Sequence, residues 1–295
     1  MNCPRFTPIP FGTLVEPCAG SAALTMHLLG ARRAILPYQG GKWRYRHALA
    51  DLLASFGLRR PQKVVLADPG PWGIALEILL GPNCRQILVL ALRDMAKQEP
   101  SEVFASLQNA PIPKDPLLYT AQFLFLQRLS HSGKAVGVKN GKWSSPGFNR
   151  SSAYGLEGTE RFGAVRPMVP CLVRVLEGYD SELVQDIDLQ VLQRDCFYRP
   201  DFGPNVTVYI DPPYQGTTPY PHGTLTRQDV VTLALRWSGG AETNVVVSEA
   251  TPIPELVERG WQTLRLRAGR TDTSPFKGKQ EEWVTYLPRR LAVSD

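Results

Sequence analysis

Strand-like and helix-like segments alternate in the first third of this 295-residue chain. "GTLVEP" (12–17) and "KVVLAD" (63–68) are short and mainly apolar, as buried strands are. Between them, "AALTMHLLGA" (22–31) and "YRHALADLLASFG" (45–57) have helical character and a glycine at or near their ends. Parallel strands need a long crossover connection, usually a helix, so this order predicts βαβ units and a mainly parallel sheet.

The same alternation returns towards the C-terminus. Strand-like "VTVYI" (206–210) and "TNVVVSEA" (243–250) are separated by a helical segment at 226–239. "EEWVTYLP" (281–288) alternates enough to predict a late strand. We therefore expect an α/β, Rossmann-like fold with a mainly parallel sheet.

The middle of the chain differs from both ends. The alternation weakens from about residue 96, and residues 134–158 are rich in Gly, Ser, Asn and Lys. A long irregular segment inside a compact protein is usually functional or disordered. We predict that residues 1–95 and 190–295 form one domain and that residues 96–189 are inserted into it.

Charge and cysteine content narrow the class of protein. The net charge of +6 suits a polyanionic partner, and basic residues cluster at 41–47, 58–63 and 131–143, the first and last of which also contain aromatics and glycines. The five cysteines form no CxxC pair, which argues against a disulfide framework or a structural metal site. We find neither a bilayer-length apolar run nor a signal-peptide core, so we expect a cytoplasmic protein without a membrane partner.

Two candidate ligand-binding turns follow the first strands. "EPCAGS" (16–21) joins a strand to a helix through small residues, which lets a ligand approach the backbone and the helix N-terminus. Asp68 ends the next strand, where an acid can bind ribose hydroxyls. Taken alone, the first turn also fits an ordinary β–α connection, and Asp68 also fits a helix cap.

A third candidate is "DPPY", which follows the strand at 206–210. Pro212 and Pro213 lack N–H donors, so carbonyls of this turn can accept hydrogen bonds from a ligand. Asp211 adds a carboxylate, and Tyr214 adds a flat ring. Together these groups could hold a planar molecule that carries an exocyclic amine, such as a nucleobase.

Taken together, "EPCAGS", "LAD" and "DPPY" resemble the S-adenosylmethionine-dependent DNA amino-methyltransferases, especially the Dam-like (D12 class) adenine-N6 enzymes. Three more stretches look similar to elements of this family: "PYQGGKWR" (37–44), "GVKNGKWSSPGFNRSSAYG" (137–155) and "EEWVTYLP" (281–288). The chain differs from the family pattern in three ways. The "GGK" element follows the glycine-rich turn instead of preceding it, Ala22 replaces a frequent second glycine, and Cys18 replaces an aromatic residue.

The resemblance implies a methyltransferase whose cofactor is S-adenosyl-L-methionine and whose partner is double-stranded DNA. It implies that the insert recognises the target, that the protein is a monomer, and that it modifies DNA for a restriction-modification system or a phage in a bacterial cytoplasm. Catalysis is assigned to Asp211, Pro212, Pro213 and Tyr214. Cofactor contacts are assigned to Tyr38, Lys42, Glu16, Pro17, Cys18, Gly20, Ser21, Asp68, Asp195, Cys196 and Phe197. Candidate DNA contacts are Lys134, Lys139, Lys142, Asn149 and Arg150.

Several alternatives stay open at this point. Asp195 could equally be a loop acid, and each basic residue of the insert could be part of a solvated loop. The same chemistry could act on the N4 amine of cytosine, on RNA adenine or on a protein glutamine. A catalytically inactive DNA-binding module is a third class. Asp211 at the first DPPY position favours adenine, and the lack of a separate Pro-Cys nucleophile disfavours methylation of cytosine C5.

Overall fold

The computed structural model describes residues 12–36, 41–81, 84–150, 153, 168–177, 186–198, 202–213, 225–240, 242–267 and 282–289. Its strands are β1 (Thr13–Glu16), β2 (Lys63–Ala67), β3 (Gly137–Lys139), β4 (Lys142–Ser144), β5 (Asp188–Leu192), β6 (Val206–Ile210), β7 (Thr243–Glu249), β8 (Gln262–Leu266) and β9 (Glu282–Leu287). Its α-helices are α1 (Ala23–Leu28), α2 (Arg46–Ser55), α3 (Pro71–Leu80), α4 (Cys84–Ala96), α5 (Pro100–Asn109), α6 (Pro116–Leu129), α7 (Met168–Glu177), α8 (Arg227–Ser238) and α9 (Pro254–Val257). Short 3-10 helices cover Lys42–Tyr45 and His131–Gly133.

Seven of the described strands form one sheet, in the order β5-β2-β1-β6-β7-β9-β8. Every neighbouring pair is parallel except those that include β9, which is antiparallel to both β7 and β8. Counting only the strands of this sheet, the first five positions follow the order 3-2-1-4-5 of doubly wound α/β folds. This confirms the prediction of an α/β fold with a mainly parallel sheet, and it is compatible with a Rossmann-like fold.

The central strands β1, β2, β6 and β7 are buried on both faces, because their side chains alternate between two cores. Leu14, Val64, Leu66, Tyr209 and Val246 belong to one core. Val15, Val65, Val208, Val245 and Val247 belong to the other, which α8 and the segment around α9 cover. Burial on both faces explains why the strands are nearly continuous apolar runs.

Caps define where two of the helices begin. Asp115 accepts a hydrogen bond from the backbone N–H of Leu118, and Pro116 occupies the first turn of α6. Thr226 and Asp229 form a reciprocal capping box at the start of α8. Such caps satisfy backbone donors that a helix leaves unpaired.

The described part of residues 96–189 packs into the same core as the sheet. The side chains of Phe123, Leu124 and Phe125 on α6 are fully buried in the core that contains Leu14. Helix α6 packs on α3 and α4, and α7 packs on α4 and α6. The separation of this segment as an insert therefore stays a prediction, as does its role in target recognition.

No single helix among the described residues is long and apolar enough to cross a bilayer. Helices α3 and α4 meet the length and composition criteria only when they are combined across their bend.

Candidate functional site

The connections that follow β1, β2 and β5 meet at the carboxyl edge of the sheet. The N–H of Ala19 donates to the carbonyl of Ala67 at 2.9 Å, and the N–H of Asp68 donates to the carbonyl of Leu192 at 3.1 Å. The order of the strands reverses between β1 and β6, where open α/β sheets place ligands. The structure thus brings the turns at 16–21 and 68–70 to one edge, together with the start of the DPPY turn.

The turn after β1 has a backbone that glycine favours at two positions. Gly20 has φ 49°, and Ala22, which precedes α1, has φ 48° and ψ 42°. A left-handed conformation costs an alanine about 1–2 kcal/mol. Ala22 therefore has a glycine-like backbone at the position where the sequence resemblance led us to expect glycine.

Glu16 anchors this turn from inside. Its Oε1 accepts hydrogen bonds from the N–H of Thr25 at 2.9 Å and from the Thr25 hydroxyl at 2.5 Å. Burial raises the pKa of Glu16 to about 7, and the charge of Asp211 adds to this shift. Glu16 therefore holds the carboxyl end of β1 against α1 and exchanges its proton near neutral pH. Pro17 and Ser21, which belong to the same turn, were predicted with Glu16 to contact the cofactor.

Asp68 is held by backbone donors. The N–H of Gly20 donates to Oδ2 at 3.1 Å, and the N–H of Gly70 donates to Oδ1 at 2.8 Å. A Cβ added at Gly73 would lie 2.3 Å from the carbonyl oxygen of Asp68, so only glycine fits there. Burial raises the pKa of Asp68 to about 6, although these backbone donors oppose the shift. Since a carboxylate can accept about four hydrogen bonds, Asp68 can still accept one from a ribose hydroxyl.

Asp211 faces a lysine instead. The Nζ of Lys42 lies 2.8 Å from Oδ1 of Asp211 and 3.8 Å from Oε1 of Glu282. The side chains of Lys42 and Glu282 are each 4% exposed, and that of Asp211 is 21% exposed. Burial raises the pKa of Asp211, and the Lys42 ammonium opposes this rise. Lys42 therefore lies beside Asp211, the first residue of the DPPY motif, although the motif of Lys42 is displaced in the sequence.

The sequence analysis did not select Glu282, which the direction of β9 brings to this site. Since β9 runs antiparallel to β7, its first residues lie beside the carboxyl end of β7, and Trp283 pairs with Glu249. An acid at the second position of the predicted late strand, "EEWVTYLP", was the signal that could have found it. It becomes a signal only when the strand is known to be antiparallel.

The loop after β5 contacts the turn after β1 through two cysteines. A hydrogen bond between their thiols raises the pKa of Cys18 and lowers that of Cys196, and burial adds to the rise at Cys18. Asp195 is exposed, and its Oδ1 accepts from the N–H of Phe197 at 2.8 Å. Phe197 is half-buried against the core that contains Cys196. The structure thus brings Cys196 to the candidate site, while Asp195 is used in a local turn.

The candidate DNA contacts lie around the hairpin β3–β4. Lys139, Lys142 and Arg150 are exposed, whereas Lys134 is half-buried. The backbone N–H of Asn149 donates to the carbonyl of Leu129 at 2.8 Å, which places Asn149 at the end of α6.

Helix α6 links this hairpin to the edge of the sheet. The indole N–H of Trp143 in β4 donates to Oε1 of Gln122 at 2.9 Å, and the Trp143 ring packs on Tyr119. Burial raises the pKa of Tyr119 to about 12, and the charge of Asp68 contributes to this shift. The hairpin is therefore held by the same helix that contacts the Asp68 region.

Two predicted site residues, Tyr38 and Tyr214, lie outside the described residues. Pro212 and Pro213 follow β6 directly. No group of three or more metal-binding side chains occurs within the part of the chain that the structure describes. No protein-family model matches this chain, and no curated protein matches it.

Proposed function

We propose that this protein is a DNA methyltransferase that transfers a methyl group from S-adenosylmethionine to the N6 amine of an adenine. The observation that carries the proposal is the Lys42–Asp211 contact of 2.8 Å. It joins residues 169 positions apart in the "GGK" element and DPPY, which the resemblance had assigned separately to cofactor binding and to catalysis. A chance match of short motifs does not require them to meet at one buried site.

The residues at this edge suit the proposed cofactor, which carries a sulfonium, an amino group and ribose hydroxyls. Four acidic side chains lie at this edge, which favours a cationic ligand. They belong to Glu16, Asp68, Asp211 and Glu282. The small residues of the turn after β1 leave room beside the backbone, and Asp68 can accept from a ribose hydroxyl. The seven-stranded sheet, with its reversal of strand order beside this turn, supports the methyltransferase fold that the resemblance implies.

In this proposal the cofactor supplies an electrophilic methyl group on sulfur. The Asp211 carboxylate and the Pro212 carbonyl accept the two hydrogens of the amine, which localises the lone pair of the nitrogen for attack. Tyr214 stacks on the base, which is worth roughly 1–3 kcal/mol. Positioning and electrostatics provide the rate enhancement, because the reaction needs no covalent enzyme intermediate.

The base must leave the duplex to reach a site beyond the edge of the sheet. Three exposed basic side chains near the β3–β4 hairpin can contact phosphates and hold the duplex. They are those of Lys139, Lys142 and Arg150. Direct contacts with base edges would have to come from other side chains of the same region, residues 96–189.

The test is an assay with labelled S-adenosylmethionine and unmethylated duplex DNA, followed by digestion to nucleosides. We expect the label in N6-methyladenosine. Label in N4-methylcytosine would overturn the choice of base. Parallel reactions with RNA or with protein in place of DNA test the choice of substrate, and transfer to either of these but not to DNA would overturn it. A gel-shift measurement that shows DNA binding without transfer would support an inactive module.

A further inference from the structure

We propose that Glu282 is a positioning residue of the methyl-transfer site and acts by compensating the charge of Lys42. Asp211, Lys42 and Glu282 then present one net negative charge to the amine. This inference rests on the proposed function and assigns a role to a residue that no sequence motif selected.

The geometry provides the argument. Lys42 lies within 4 Å of both carboxylates, and the side chains of Lys42 and Glu282 are almost completely buried. Without Glu282, the contact between Lys42 and Asp211 would be a neutral pair. Buried charges are screened much less than exposed ones, so the third charge changes the potential at the site.

The chemistry of the transfer makes that charge useful. The nitrogen lone pair forms the new N–C bond while the C–S bond breaks and leaves its electron pair on sulfur. The positive charge therefore passes from the sulfonium to the nitrogen, which then gives one proton to the Asp211 carboxylate. A net negative site stabilises this positive charge both on the bound cofactor and on the amine.

A purely mechanical role for Glu282 gives a different expectation. If Glu282 only holds the Lys42 side chain in place, removing both residues should be no better than removing Glu282 alone. If its charge matters, the double variant Lys42→Met/Glu282→Gln should recover, because Asp211 alone again provides one net negative charge. The two explanations therefore predict opposite results for the same variant.

The first experiment measures equilibrium binding by calorimetry. The ligands are S-adenosylmethionine, which carries the sulfonium charge, and its thioether product S-adenosylhomocysteine, which does not. We expect Glu282→Gln to lower the ratio of the two association constants about tenfold. The double variant should return the ratio towards the wild-type value.

The second experiment measures the single-turnover rate of transfer to unmethylated duplex DNA. We expect Glu282→Gln to lower this rate at least about tenfold and the double variant to recover part of it. The matched control is Glu177→Gln, which makes the same chemical change in the Arg93–Glu177 ion pair between α4 and α7. Circular dichroism checks the folding of each variant, and Glu282→Asp, which keeps the charge, serves if the glutamine variant unfolds.

The outcomes separate this inference from the proposed function. If the wild type binds the cofactor and methylates DNA, but Glu282→Gln leaves both the affinity ratio and the rate unchanged, the inference is wrong and the function stands. A double variant no better than Glu282→Gln also contradicts it. If Glu282→Asp is the variant that folds, it should keep the wild-type ratio, and a fall of about tenfold in that ratio would contradict the charge role. If the wild type binds neither ligand, the proposed function fails and the inference fails with it.

Discussion

Two aspartates directly follow strands β2 and β6 at the same edge of the sheet, yet their surroundings differ. Asp68 accepts from the backbone N–H groups of Gly20 and Gly70, which carry no charge and are fixed by their turns. Asp211 contacts the ammonium of Lys42, a long side chain that also lies near Glu282. Burial raises the pKa of both carboxyl groups.

Under the proposed function, this difference divides two roles between the aspartates. Backbone donors orient Asp68 rigidly, which suits the binding of a ligand in one fixed position. The ammonium of Lys42 favours the ionised form of Asp211 against the effect of burial, which suits a group that must accept hydrogens from an amine. Variants of both aspartates and of their neighbours should distinguish the two roles, and they are given in order of decreasing effect.

Asp211→Asn should nearly abolish transfer. The amide carries no charge and presents donors as well as an acceptor, so we expect the single-turnover rate to fall at least about 100-fold. The affinity for S-adenosylhomocysteine, which lacks the sulfonium charge, should change little when it is measured by calorimetry. A loss of this affinity as large as the loss expected for Asp68→Asn would show that the two aspartates do not differ in role.

Asp68→Asn should show the reverse pattern. An amide cannot accept on both sides, so one backbone donor loses its partner and the turn loosens. We expect the dissociation constant for S-adenosylmethionine to rise about tenfold or more. At saturating cofactor the transfer rate should stay within a few-fold of the wild-type rate, and a large loss at saturation would contradict a pure binding role.

Glu16→Gln should make stability less dependent on pH. Burial raises the pKa of Glu16 from 4.5 to about 7 in the folded state, so its contribution is present below the unfolded pKa and is lost as pH rises through 7. The glutamine variant avoids burying this charge and should gain stability at pH 8. This gain should shrink by roughly 2 kcal/mol at pH 5.

Calorimetric melting temperatures between pH 5 and pH 8 measure this change. Glu177→Gln is the control, because it makes the same chemical change at the more exposed Arg93–Glu177 pair. A gain for Glu16→Gln that does not vary with pH would contradict the raised pKa. Because Glu16 lies between the two aspartates at the edge of the sheet, this measurement tests whether burial there raises the pKa of a carboxyl group.

Ala22→Gly should have the smallest effect. Its left-handed backbone favours glycine, whereas the unfolded chain gains entropy from the same change, so the net shift should be about 1 kcal/mol or less. Chemical denaturation measures it. A large loss of stability would mean that the Ala22 methyl group, which is buried in the core, matters more than the backbone conformation.

Much of this fold could be predicted from sequence because strands and helices have different hydrophobic periods. "VTVYI" became β6 within the predicted limits, and "KVVLAD" contains β2 with Asp68 directly after it. The late strand was predicted, but not its antiparallel direction, because periodicity carries no information about which strands pair. Glu282 was missed for that reason.

Local sequence patterns alone were enough to place an acid at the end of three strands. Glu16 is the last residue of β1, and Asp68 and Asp211 directly follow β2 and β6. The tertiary structure decided which of them meet. Lys42 reaches Asp211 although its motif is displaced along the chain, because the contact depends on the order and direction of strands in the sheet rather than on the order of motifs. It also decided the charges, since burial of these acids, which sets their pKa values, exists only in the folded protein.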